Sequence, residues 1–123
     1  MSDSAQQERL NQAEKALQAA STEFENVEKK ARKQWLSDVK MGLADKIFIQ
    51  WAVQNYPQYY AAETQYRANQ AQYDQINHSI NGEVAQDEVK EREKARWFKG
   101  EDQRKKDEAI LKDPDSIKDE DLE

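Results

Sequence analysis

The sequence predicts an all-α protein: a long antiparallel helical hairpin resembling a coiled coil, with a third, looser helix beside it, together an elongated three-helix bundle. Three observations carry that expectation. Apolar residues fall in three-four alternation at Leu10, Ala13, Leu17, Ala20, Phe24, Val27 and Ala31, and again in the run Tyr59, Ala62, Tyr66, Asn69, Tyr73, Ile76 and Ile80. That spacing holds one narrow stripe along a helix. The two stripes mirror each other about Leu43, pairing Leu10 with Ile76, Ala13 with Tyr73, Leu17 with Asn69, Ala20 with Tyr66, Phe24 with Ala62 and Val27 with Tyr59. Large side chains mostly oppose small ones, as interdigitating cores require. Composition agrees: 37% of residues are hydrophobic and 36% charged, with three Gly and two Pro, which suits long helices with charged outer faces and fits a sheet badly.

The first helix is expected over about 4–40, ending where Gly42 can supply a left-handed residue. It carries one basic cluster, Lys29, Lys30, Arg32 and Lys33. A turn at Met41–Ala44 leads into a second helix over about 45–80, with Asp45 as its N-cap. Pro57 falls inside it. Proline removes a backbone donor and crowds the preceding turn, so the helix either restarts there or kinks. The stripe stays in step across Val53 and Tyr59, which favours the kink. The mirror continues towards the turn as Ala31 with Asn55, Trp35 with Trp51 and Val39 with Ile47, stepping by four in both halves.

Asn81-Gly82 ends the second helix, and a third is expected over 83–112. Its charges alternate in sign, with Glu88–Arg92, Glu101–Lys105 and Asp102–Lys106 as i,i+4 pairs. Its best stripe is only half apolar: Val84, Glu88, Glu91, Ala95, Phe98, Asp102, Lys105 and Ala109. Folding back about Gly82 would bring Ile110 and Leu111 beside Ala52 and Val53. Asp113-Pro114 closes the helix. Residues 113–123 hold six acids and Lys118, and are expected to be a disordered acidic tail, leaving a near-neutral body from a total net charge of −6.

Chemistry finds little foothold in this composition. There is no Cys, a single His, and no Gly-rich phosphate loop. Inward Glu-x-x-His pairs, which helical bundles use to hold two metals, do not occur. His78 reads as a helix-terminal residue. The expectation is therefore no catalytic site, no metal and no cofactor. No run of 18 apolar residues appears and the opening residues lack an apolar stretch, so no transmembrane segment or secretory signal is expected, and the chain reads as intracellular and cytoplasmic.

Function must then come from surface. Between Lys46 and Glu83 the formal charges are only Glu63, Arg67 and Asp74, and amides fill the other polar places. Such a helix is either covered by its own chain or touches another molecule. Trp97 and Phe98 are adjacent aromatics in a charged segment, of the kind that anchors interfaces, although Phe98 packing on the hairpin is the plainer reading. The leading expectation is a non-enzymatic protein–protein interaction or assembly module that self-associates, with Gln65, Gln72, Tyr60, Trp97 and Phe98 as partner-binding residues. The alternative is a charged-surface binder of nucleic acid or anionic membrane through Lys29, Lys30, Arg32 and Lys33. Trp35 lies on the stripe opposite Trp51 and so offers no stacking platform beside that cluster. Nucleic-acid and membrane-surface contact thus rank below protein contact.

Overall fold

The computed structural model describes residues 2–123. It is all-α, with four helices: α1 over Ser2–Lys40, α2 over Phe48–Asn55, α3 over Pro57–Asn81 and α4 over Glu83–Lys112. At a rise of about 1.5 Å per residue, α1 is a rod of about 58 Å. It ends as expected: Gly42 takes a φ of 76°, and the amides of Leu43 and Ala44 both donate to the Asp38 carbonyl. The left-handed glycine turns the chain back on itself while those bonds satisfy the helix end.

α1 and α3 pack against each other, and around Phe24 their contacts fall near the expected register. Phe24 lies between Tyr59 at 5.4 Å and Tyr66 at 5.6 Å, the residues that bracket its expected partner Ala62. Further along, the Glu14 carboxylate is close enough to influence Tyr73. Leu10, Ala13, Ala20 and Ala31 of α1 are buried, as are Tyr59 and Ala62 of α3.

Near the tip the register is kept only in part: the second helix is broken in two, and Trp35, Val39 and Trp51 share one buried cluster while Asn55 is exposed. Tyr56 has an extended backbone, φ −132° and ψ 83°, and separates α2 from α3 with Pro57 at the first position of α3. The residue before proline avoids helix, and proline at a helix start forgoes only a donor with no intrahelical partner. Freed from the axis of α3, α2 presents a different face. Asn55 is exposed and does not oppose Ala31. Phe48, absent from the mirror, is buried edge-on to Trp35 at 5.9 Å and to Tyr59 at 5.4 Å. Trp51 and Ala52 share this cluster, and the Trp35 indole Nε1 donates to the Lys46 carbonyl at 2.9 Å. Asp45 lies in the turn and caps nothing; the residue at the N-cap position of α2 is Ile47.

α4 follows α3 after a single left-handed residue, Gly82, and runs back along it, since Glu88 bonds Asn77 and Arg92 pairs with Asp74. Ile110 and Leu111 pack against the tip cluster that contains Ala52, whereas Val53 stays 50% exposed. The face that α4 turns inward is not its apolar one. All eight members of the expected stripe, Val84 to Ala109, are exposed. The line that is buried or half-buried runs instead through Ala85, Val89, Arg92, Gln103, Asp107 and Ile110. The side of α3 that it meets is polar, with Asp74 and Asn77 partly or wholly out of water. Such groups need partners, so polar residues of α4 had to face them.

Residues 113–123 depart furthest from expectation. They form two 3-10 turns, Pro114–Ser116 and Asp119–Leu122. Ile117 is 5% exposed inside the tip cluster, Leu122 packs on it, and Lys40 pairs with Asp119 at 2.9 Å. The acids point to water while these two apolar residues dock. A charge count alone hides that division.

Candidate interaction surfaces

The outer side of α3 is built by subtraction. Its charged residues are engaged elsewhere: Glu63 with Arg67 at 3.1 Å, and Asp74 with Arg92 of α4. Several of its amides are also used internally. Asn69 donates to the Gln65 carbonyl, Gln70 to Asp74, and the buried Asn77 to Glu88. Among the exposed residues of α3, Ala61, Gln65, Ala68, Gln72, Gln75 and Ser79 lie in three-four spacing and carry no formal charge, with the exposed Arg67 to one side of them. This second stripe on one helix spans about 27 Å. Gln65 and Gln72 lie on it, one heptad apart, and Tyr60 flanks it at 58% exposure.

Trp97 and Phe98 form a separate surface. Both are exposed, at 62% and 55%, and their rings meet edge to face at 5.1 Å. Phe98 does not pack on the hairpin. Every residue from Glu93 to Gly100 is exposed, including Arg96, which lies in phase with the buried line of α4. The midsection of that helix is thus unsupported by the hairpin. Gln72 stands about 200° round α3 from Asp74, which faces α4, so the two candidate groups do not merge into one patch.

The basic cluster is broken up by the fold. Arg32 turns towards Asp107, at 3.1 Å, and its guanidinium stacks 4.4 Å from the centre of the Phe48 ring. Asp107 also accepts from Gln103 at 3.0 Å and is only 3% exposed. Arg32 is therefore a tie between α1 and α4. Lys29, Lys30 and Lys33 alone remain on the exposed face, which leaves little of the phosphate-binding constellation.

Sequence reasoning missed two features here. No signal could have marked Asp107, one acid among many in a charged helix. The exposed apolar tip had a visible cue in the apolar run Ile47–Val53: Met41, Leu43, Ile49 and Val53 all face water, and Ile49 and Val53 line a shallow depression with Lys46, Gln50 and Gln54.

Titration is perturbed in few places. Burial pushes the Tyr59 hydroxyl well above its usual range, reinforced by the neighbouring Glu63 and Glu28 carboxylates. Burial raises Tyr73 too, with Glu14 adding to it. A hydrogen bond from Lys40 holds Asp119 below the ordinary carboxylate range. These shifts follow packing and ion pairing, and none sits in a cleft. His78 is exposed at the end of α3. Among the described residues, no three His, Cys, Asp or Glu side chains gather where they would hold a metal ion, and no helix is long and apolar enough to cross a membrane. Comparison with protein-family models, with curated proteins and with solved structures finds no match to this chain.

Proposed function

We propose that the protein is a non-enzymatic helical interaction and assembly module that self-associates through the uncharged side of α3. One observation carries this reading: a stripe about 27 Å long, exposed and free of formal charge, on a chain in which 36% of residues are charged. Solvated helix faces ordinarily carry charge, as the outer face of α1 does here. A long face without it fits contact with another protein surface, since interface centres are depleted of charge. The rod held by α1 and α3 supplies the rigidity, because a surface that is already ordered loses little entropy when it binds. Trp97 and Phe98 are a second adhesive point on α4.

The test is association measured by light scattering. Replacing Gln65 and Gln72 together by Lys places two charges on the stripe of each copy and leaves both residues in a helix-forming context. The helical circular dichroism should be unchanged while the mass at high concentration falls towards that of a single chain. A wild-type protein that stays monomeric at every concentration, with no partner lost on substitution, would sink the reading.

A further inference from the structure

We infer that residues 114–123 are a strap that opens and recloses over the aromatic end of the rod as one unit, while the four helices stay folded.

Backbone bonding divides the chain at Asp113. Its amide donates to the carbonyls of Ala109 and Ile110, so the last turn of α4 is closed before the strap begins. Pro114 follows with no amide to donate, and the extended backbone of Asp113, φ −138° and ψ 74°, turns the chain off the helix axis. Beyond that point the backbone bonds are local: the amide of Ser116 donates to the Asp113 carbonyl at 3.0 Å, Ile117 to Pro114 at 3.2 Å and Asp121 to Lys118 at 2.9 Å. The Ser116 hydroxyl and the Asp121 carboxylate also bond within residues 113–123. Among the described residues, no backbone hydrogen bond joins the strap to any residue before Asp113. Its departure therefore interrupts no helix and leaves no backbone group without the partner it had.

Two side chains and one ion pair hold the strap down. Ile117 is 5% exposed within the tip cluster, and Leu122 is half-buried against it. Lys40 meets Asp119 at 2.9 Å, but that carboxylate is 94% exposed, where an ion pair adds little. Asp115, Ser116, Lys118, Glu120, Asp121 and Glu123 all face water. A segment attached by so few contacts belongs to the least stable part of a structure, because opening gives up those contacts alone. The body is complete without it. The Trp35 indole donates to the Lys46 carbonyl, Phe48 meets Trp35 and Tyr59 edge-on, and α1 packs on α3 along the rod. Opening uncovers apolar surface of the aromatic cluster, at the end of the molecule where Met41 and Leu43 already face water. Closing hides it again.

Thiol labelling distinguishes strap opening from unfolding, because the chain has no native Cys. Ile117→Cys places a thiol at the strap's own anchor, and Ala31→Cys places one in the same cluster on α1, where exposure is 0%. Each full-length variant is treated with iodoacetamide over a range of urea below the unfolding transition, with circular dichroism as the check on folding. The Ile117→Cys thiol should be labelled on the order of a hundredfold faster than the Ala31→Cys thiol. Its rate should hardly change with urea, since releasing residues 114–123 exposes little surface, whereas the Ala31→Cys rate should climb steeply. Adding Leu122→Ala to each should speed labelling at position 117 about tenfold and leave position 31 unchanged. Amide exchange in the wild-type chain reads the same opening without a substitution: Ile117 and Asp121 should exchange together and far ahead of Trp35. Equal rates and equal urea slopes at positions 117 and 31 would show that the strap leaves only when everything unfolds, and would overturn the inference. So would a Leu122→Ala substitution that speeds both positions alike, or neither.

Discussion

Asp107 is nearly sealed from water, and its charge is met by Arg32 and by the Gln103 amide. Arg32 in turn keeps its guanidinium over Phe48. Removing the carboxylate leaves that guanidinium half-covered without its counter-charge, and the cost of an unpartnered group exceeds what the bond itself contributed. Asp107→Ala is therefore expected to destabilise by about 1–3 kcal/mol in urea titrations followed by circular dichroism. Asp107→Asn, which keeps an acceptor for Gln103, should lose less. Tyr59 gives a second expectation at this scale. Its folded-state pKa is raised by burial and by Glu63 and Glu28, so the folded protein resists ionisation that the unfolded chain permits. The corresponding stability is complete below the unfolded value of about 10 and is lost as pH climbs above it. Melting temperatures should fall through that alkaline range, and less steeply in Tyr59→Phe. Neither residue was equally legible in the sequence. Tyr59 sat on a regular stripe opposite Val27, whereas the partner of Asp107 lies 75 positions away and shares no pattern with it.

At the scale of elements, α1 and α3 were legible because both stripes keep three-four spacing and large residues mostly oppose small ones when they are mirrored about Leu43. α4 was not, because its most apolar face is scarcely more apolar than the rest. The choice fell to the polar line on α3, which demanded Arg92 and Glu88. Similarly, the stripe alone could not tell a kink from a break at Pro57, whereas the backbone of Tyr56 decides for the break. The polar docking of α4 has a measurable consequence. Ion pairs at partial exposure weaken as salt screens them, while apolar contact between α1 and α3 does not. Raising salt from low ionic strength to the molar range is expected to speed amide hydrogen exchange in α4, its exposed midsection Glu93–Gly100 first. The amides around Phe24 and Tyr66 should keep their protection. Equal loosening of both would show that α4 is held by more than its charges.

For the molecule as a whole, the composition of residues 113–123 suggested a solvated tail because charge dominates it, yet two apolar residues outweigh the acids once a cluster is available to receive them. Ile117 is buried in a cluster drawn from α1, α2 and α3. Ile117→Ala should cost about 2–4 kcal/mol, read as a lower urea midpoint with an unchanged slope. A substitution that moves the midpoint by nothing would mean that Ile117 contributes no packing. The neighbouring Lys40–Asp119 pair adds a contribution present above the ordinary aspartate range and lost only as pH falls through the depressed value, and with Asp119 94% exposed that contribution is small.

The position of Ile117 also sets a timetable. Trp35, Phe48 and Trp51 are made early, and the residue that seals them follows 66 to 82 positions later, ~3–16 s at ordinary rates of translation. Ile76, which the mirror sets opposite Leu10, is itself made only 41 positions before Ile117, so the rod closes late in that interval and its aromatic end stays uncapped until Ile117 follows. Each nascent chain thus passes through a stage in which a finished rod carries an unfinished end, and for that stage the sticky part of the molecule is the part that will later be its core.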